Sequence, residues 1–243
     1  MTILIMLIVA VIVLITHTLE GITGFGCTAI AMPFTIMLVG VTVAKPTLTI
    51  LGFLLSLYIV IISFKDIVWK EFIRIVTFVG LGLPVGLWGF NKLPEKLLIK
   101  LLAAFIILIA IRGIYIAFTS HKSTNPANNI LLNFILFLGG CVHGAFTSGG
   151  PIVTIYATEA LPKKNNFRAT LCMLWVILNG IIIIQTAAKG LITSDVIKLL
   201  EVTIPFLVIG GVLGNWAHHK IHDTYFSKIV FIILLITGVF MLK

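Results

Sequence analysis

Long apolar stretches separated by short polar connections run the length of the chain: 2–19, 22–43, 47–64, 71–90 and 97–118, then 128–142, 147–162, 168–188, 196–217 and 226–242. At about 1.5 Å of rise per residue, most are long enough to cross a hydrocarbon layer about 30 Å thick, given some tilt. Periodicity carries little where nearly every position is apolar, so polar interruptions and turn residues set the expected helix ends. The connection 119–129 (TSHKSTNPANN) is the clearest linker, while 91–96, 162–168 and 218–225 are short and charged. The first stretch has no basic residue before it and no small-residue cleavage site after it, so it is expected to remain attached.

Two stretches differ from the rest. Stretch 22–43 contains Gly24, Gly26 and Pro33, and 147–162 opens with SGGP at Ser148–Pro151. Glycine and proline free backbone groups that hydrocarbon cannot solvate, so such breaks persist only where protein or a water-filled cavity satisfies them. Broken glycine-rich segments at membrane depth are a mark of transporter binding sites. The competing reading is an ordinary loop at the membrane surface.

The glycine motif occurs twice: HTLEGITGFG at 17–26 returns as GCVHGAFTSG at 140–149, a spacing of 123. At that spacing Glu20 falls on His143, Gly21 on Gly144, Gly26 on Gly149, Lys45 on Arg168, Thr47 on Thr170 and Ser56 on Asn179. At a spacing of 128, Gly82, Gly86 and Trp88 fall on Gly210, Gly214 and Trp216. Chance likeness between greasy segments would not also match these rarer residues. The chain is therefore read as two repeats, 1–122 and 123–243, and an odd number of crossings per repeat inverts the second copy. The expected fold is an all-α polytopic membrane protein with eight to ten hydrophobic helical segments, some broken or re-entrant at the glycine motifs, and inversion favoured over parallel copies.

Composition agrees, with 60% hydrophobic and only 10% charged residues, far from a soluble domain. The net charge of +9 lies mostly at segment ends and flanks the membrane. With no soluble basic domain, a nucleic-acid partner is excluded. Counting Lys65, Lys70, Arg74, Lys122, Lys163, Lys164, Arg168, Lys220 and Lys228 on one side, and Lys45, Lys92, Lys96, Lys100, Lys189, Lys198 and Lys243 on the other, weakly places both termini outside the cytoplasm. Cys27, Cys141 and Cys172 are odd in number and lack metal-type spacing, so they read as packing residues; no metal or cofactor is expected.

Around Gly21, Gly24 and Gly26, and again around Gly144, Gly149 and Gly150, small residues let backbone approach a ligand. The helices that follow would aim unpaired N–H groups and positive dipole ends at the same point, an arrangement that binds anions. Thr23, Thr147 and Ser148 add hydroxyls, each of which also suits a helix cap. Glu20 and His143 are ionisable groups at membrane depth, costly without a partner or cavity. They are candidates for proton coupling, or else lock the repeat interface by hydrogen bonds. Arg168 matches Lys45 at a segment start, where a cation attracts an anion or merely snorkels. Asn179 reads as a pore-lining donor or an interhelical bond. The Gly82/Gly86 and Gly210/Gly214 pairs read as close helix packing, and Trp88 and Trp216 as interfacial anchors.

The segments GITGFGCTAIAMPF and HGAFTSGGPIVTIYATEALPKKNNFRAT, with the downstream GxxxG-x-W segments, resemble the sulfite exporter TauE/SafE family of membrane transporters over essentially the whole chain. The resemblance implies Gly21, Gly24 and Gly26, with Gly144, Ser148, Gly149, Gly150 and Pro151, as motif positions, followed by Arg168 and Thr170. It implies transport of sulfite, sulfoacetate or a related anion. The expectation is a cell-membrane secondary transporter of a small anion, by alternating access and with protons as a coupling route. An anion channel is the alternative. Catalysis is disfavoured, because Phe146 stands where a nucleophile turn would need glycine before Ser148. The anion, the direction of transport and the oligomeric state stay open at this level.

Overall fold

The computed structural model describes residues 2–92, 95–119 and 129–220, with 231–232, 235–236 and 238–239. Most of the expected linker 119–129, most of the segment 226–242 and the charges Lys122, Lys228 and Lys243 lie outside the described residues, as do the side chains of Lys92 and Lys96.

The described residues form nine α-helices and no strand. They are α1 (Ile3–Thr23), α2 (Cys27–Val39), α3 (Val41–Ser63), α4 (Trp69–Lys92), α5 (Glu95–Thr119), α6 (Asn129–Phe146), α7 (Gly150–Ala160), α8 (Lys164–Ala188) and α9 (Ser194–Lys220). Six of them (α1, α3, α4, α6, α8 and α9) are long and apolar enough to cross a membrane, whereas α2 is a shorter apolar helix. Hydrocarbon leaves helical backbone as the way to satisfy every N–H and C=O, so an apolar run stays helical until a residue breaks it. Gly24 breaks α1 in the left-handed region at φ 80, its N–H returning to the Glu20 carbonyl at 2.6 Å. Thr147 ends α6 the same way at φ 54, its N–H on the His143 carbonyl at 2.6 Å.

Glycine contacts set the packing. Gly210 lies beside Leu14 and Thr18, and Gly214 beside Thr18 and Gly21, so α1 and α9 run parallel. In the same way Gly82 lies beside Phe137 and Cys141, and Gly86 beside Cys141, which makes α4 and α6 parallel. Small residues let these backbones touch. Helix α3 runs antiparallel to α8, with Gly52 beside Asn179 and Ser63 bonded to Arg168.

The motif helices are hairpins. Tyr156 of α7 donates to Glu71 in the first turn of α4. Arg74 lies over the Tyr156 ring at 5.0 Å and bonds Asn129 and Asn133 at the start of α6. Helix α7 thus returns to the end from which α6 set out. Helix α2 returns likewise to the end where α1 begins, because α3 starts beside Lys189 at the close of α8. The two hairpins enter from opposite ends. Buried apolar side chains of nearly every helix join one core, centred on α3 and α8 through Leu48, Leu51, Leu171, Leu174 and Leu178. Trp88 and Trp216 stand on the outside, 65% and 63% exposed.

Candidate functional site

The hairpin tips meet. Thr28 Oγ1, one residue into α2, donates to the Thr147 carbonyl at the end of α6. Beside that bond is a cavity of about 10 Å3, about what one water molecule needs. Its walls are the start of α2 (Gly26, Cys27, Thr28, Ala29), the start of α7 (Gly150, Pro151), Glu20 of α1, His143 and Thr147 of the second hairpin, Gly52 of α3, and Trp175 and Asn179 of α8. The first turns of both short helices therefore border one polar space, where the positive ends of their dipoles favour negative charge, although Pro151 brings no N–H and that of Ile152 is on the Gly149 carbonyl at 3.1 Å.

That space is electrostatically lopsided. Glu20 is buried, and its carboxylate accepts from the Cys27 N–H at 3.2 Å, the first amide of α2, and from Ser56 Oγ at 3.2 Å. A carboxyl group of the protein thus already sits on the α2 end. At the α7 end the facing group is His143, also buried, whose Nε2 is 3.1 Å from Asn179 Oδ1. An oxygen there can only accept, so Nε2 carries a proton. Nδ1 has no partner and is buried. The imidazole stacks on Trp175, whose indole N–H donates to the Gly24 carbonyl at 2.8 Å.

Of the residues singled out from sequence, Glu20, Gly26, His143, Thr147, Gly150, Pro151 and Asn179 come together here. The others lie around it. Gly21 is inside α1 against Gly214, and Gly144 is inside α6 against Leu83, Gly86 and Leu87. Gly24 packs on Arg168, and Gly149 on Gly139 and His143. The Thr23 hydroxyl bonds the Leu19 and Phe25 carbonyls, and the Ser148 hydroxyl bonds that of Phe146. Arg168 is buried outside the cavity lining, donating to the Gly21 carbonyl at 2.9 Å, Asn215 at 3.1 Å and Ser63 at 3.3 Å. Lys45 makes the matching contact at the other hairpin, donating to the carbonyls of Gly144 at 3.0 Å and Ala145 at 2.7 Å. Trp175 and Gly52 were not singled out. A tryptophan in mid-segment, away from where interfacial anchors sit, was the available signal. The three cysteines are free thiols.

The family model for the sulfite exporter TauE/SafE matches residues 8–241. No curated protein and no solved structure matches the chain. With that match spanning a bundle of membrane-length helices, the chain belongs to the sulfite exporter TauE/SafE family and is a multi-pass membrane transporter.

Proposed function

We propose that this protein is a secondary carrier of a small anion, sulfite or an organosulfonate such as sulfoacetate, working by alternating access around the cavity between the hairpin tips. The observation that carries the reading is the convergence of two helix N-termini on one buried polar space, tied together by the Thr28–Thr147 bond. The incoming anion takes the α7 end, against the Gly150 N–H and the open Nδ1 of His143. A proton taken up at Nδ1 turns that nitrogen into a donor and neutralises the anion, while Glu20 holds the α2 end as a tethered competitor.

We further read 1–122 and 123–243 as inverted copies of one unit. Supporting this, Glu20 bonds Ser56 and His143 bonds Asn179, and both pairs are 36 residues apart. Arg168 holds the Gly21 carbonyl as Lys45 holds that of Gly144. Exchange of the hairpin tips between two such halves is a natural route to opening on alternate sides.

The test is reconstitution in liposomes with labelled sulfite, sulfate, sulfoacetate and simple carboxylates, with and without a pH gradient. Saturable flux with counterflow, selective for one of the sulfur oxyanions and accelerated by an acid exterior, is expected. Single-channel currents, or flux indifferent to all of these anions, would overturn the carrier reading.

A further inference from the structure

The repeat spacing of 123 sets Pro33 of α2 against Tyr156 of α7, and the two residues do opposite things. Tyr156 is an anchor. It is buried, its hydroxyl donates to the Glu71 carboxylate in the first turn of α4, and the Arg74 guanidinium lies 5.0 Å from the centre of its ring. Arg74 also reaches the other arm of the same hairpin, its Nε donating to Asn133 Oδ1 at 3.1 Å and one NH2 group to Asn133 at 2.9 Å and Asn129 at 3.1 Å. One side chain of α4 thus holds α6 and α7 together, and α4 itself is pressed on α6 through Gly82 and Gly86.

The first hairpin has none of these groups at the matching positions. The spacing of 123 puts Met6 and Ala10 in place of Asn129 and Asn133, and that of 128 puts Leu199 and Val202 in place of Glu71 and Arg74. The polar ties of α2 are at its start, the Cys27 N–H on Glu20 and the Thr28 hydroxyl on the Thr147 carbonyl. After Thr28 the helix carries a single polar side chain, Thr35, whose hydroxyl turns back to the Ala31 carbonyl at 2.8 Å, so none of these later side chains donates a hydrogen bond to another helix. Pro33 lies inside the helix. Having no N–H, it leaves the carbonyl of Ala29 without a bond from position 33, and its ring crowds that carbonyl, which is how a proline bends a helix. Ala29 lines the inner cavity, so the weak point of α2 adjoins the site.

We propose that α2 is the moving wall of the inner cavity, flexing at Pro33 and parting from Thr147 at its start, while α7 is a fixed wall anchored through Tyr156, Glu71 and Arg74. The role of that motion in carrying an anion rests on the carrier reading; the difference in mobility between the two helices does not. An anion held at the α7 end stays in register with one rigid unit of α4, α6 and α7. Access is gained by displacing the other helix.

Mobility is read without transport, by hydrogen–deuterium exchange and mass spectrometry of the full chain in phosphatidylcholine nanodiscs, comparing protection of the α2 and α7 amides. The α2 amides are expected to be several-fold less protected than those of α7. Pro33→Ala supplies the missing N–H and is expected to slow α2 exchange several-fold and leave α7 unchanged. Tyr156→Phe keeps the ring beside Arg74, loses the hydroxyl bond, and is expected to speed α7 exchange several-fold and leave α2 unchanged. Glu71→Gln keeps an oxygen for that hydroxyl and is expected to stay near the parent chain, whereas Glu71→Leu follows Tyr156→Phe. In liposomes, Pro33→Ala is expected to lower maximal flux several-fold with the half-saturating anion concentration retained, a split that general loss of folded protein does not explain once flux is scaled to folded chain. Protection of α7 no greater than that of α2, Pro33→Ala without effect on α2 exchange, or Tyr156→Phe without effect on α7 exchange would each overturn the proposal. Absence of flux in the parent chain would remove the carrier reading and leave the difference in mobility standing.

Discussion

The ring of His143 stacks on the indole of Trp175, centroids 5.1 Å apart and planes 21° from parallel. Because the indole N–H is bonded to the Gly24 carbonyl, one side chain on α8 connects the break in the first hairpin to the open imidazole of the second. Trp175→Phe keeps a ring under His143 and loses that bond. The expected cost is about 1–2 kcal/mol of stability, measured by thermal melting in detergent, together with loss of most transport. Trp175→Leu, which also loses the stacking, is expected to be worse on both counts.

Proton linkage has its own signature. Under the proposed scheme, in which His143 takes up a proton alongside the anion, uptake into liposomes is expected to rise as external pH falls. His143→Ala removes the acceptor and is expected to flatten that profile at a reduced rate, with selectivity among anions retained. Glu20→Gln presents an NH2 to one of two donors, Cys27 N–H or Ser56 Oγ, and is expected to shift the profile and weaken the fold by about 1 kcal/mol. Unaltered profiles in both variants would remove the coupling scheme.

Thr147 holds a left-handed conformation that a β-branched residue rarely adopts, at a cost of order 1–3 kcal/mol. Thr147→Gly is expected to leave melting unchanged or raise it. Gly24→Ala faces both the positive φ and the Arg168 Cα at 2.8 Å, and is expected to lower melting markedly. Opposite signs from two turns with the same backbone bond would identify strain, not polarity, as the difference.

The parallel pairs α1–α9 and α4–α6 depend on bare backbone. A methyl group on Gly214 would meet the Gly21 Cα at 2.7 Å and the Thr18 carbonyl at 2.6 Å, and one on Gly86 would run into the Cys141 carbonyl. Gly214→Ala and Gly86→Ala are each expected to cost about 1–3 kcal/mol, read as lower melting temperature and lower yield of folded protein. Gly89→Ala, where nothing among the described residues lies within 4 Å, is the control.

Much of the bundle was legible because in hydrocarbon a polar or helix-breaking residue is nearly the only punctuation. Stretches such as 47–64 and 168–188 lie within or close to α3 and α8. The motif helices were harder. The apolar run 2–19 carries on as α1 to Thr23, since Glu20 and Gly21 are tolerated on a buried face and only Gly24 forces the break. Gly21 and Gly144 read as turn residues, yet they lie inside helices against Gly214 and Gly86; the spacing of Gly82/Gly86 and Gly210/Gly214 marked those pairs as close-packing, but not which distant backbone they meet. Trp175 and Gly52 line the cavity from segments so uniformly apolar that no periodicity marks which face looks inward.

A chamber with room for one water holds no oxyanion while the hairpin tips are together. On the proposed carrier reading, the closed protein is its own stopper, and an arriving solute is the wedge. Ions that bind amides weakly do not recover the work of parting the tips, so such a carrier keeps its membrane tight between turnovers and leaks little when its cargo is scarce.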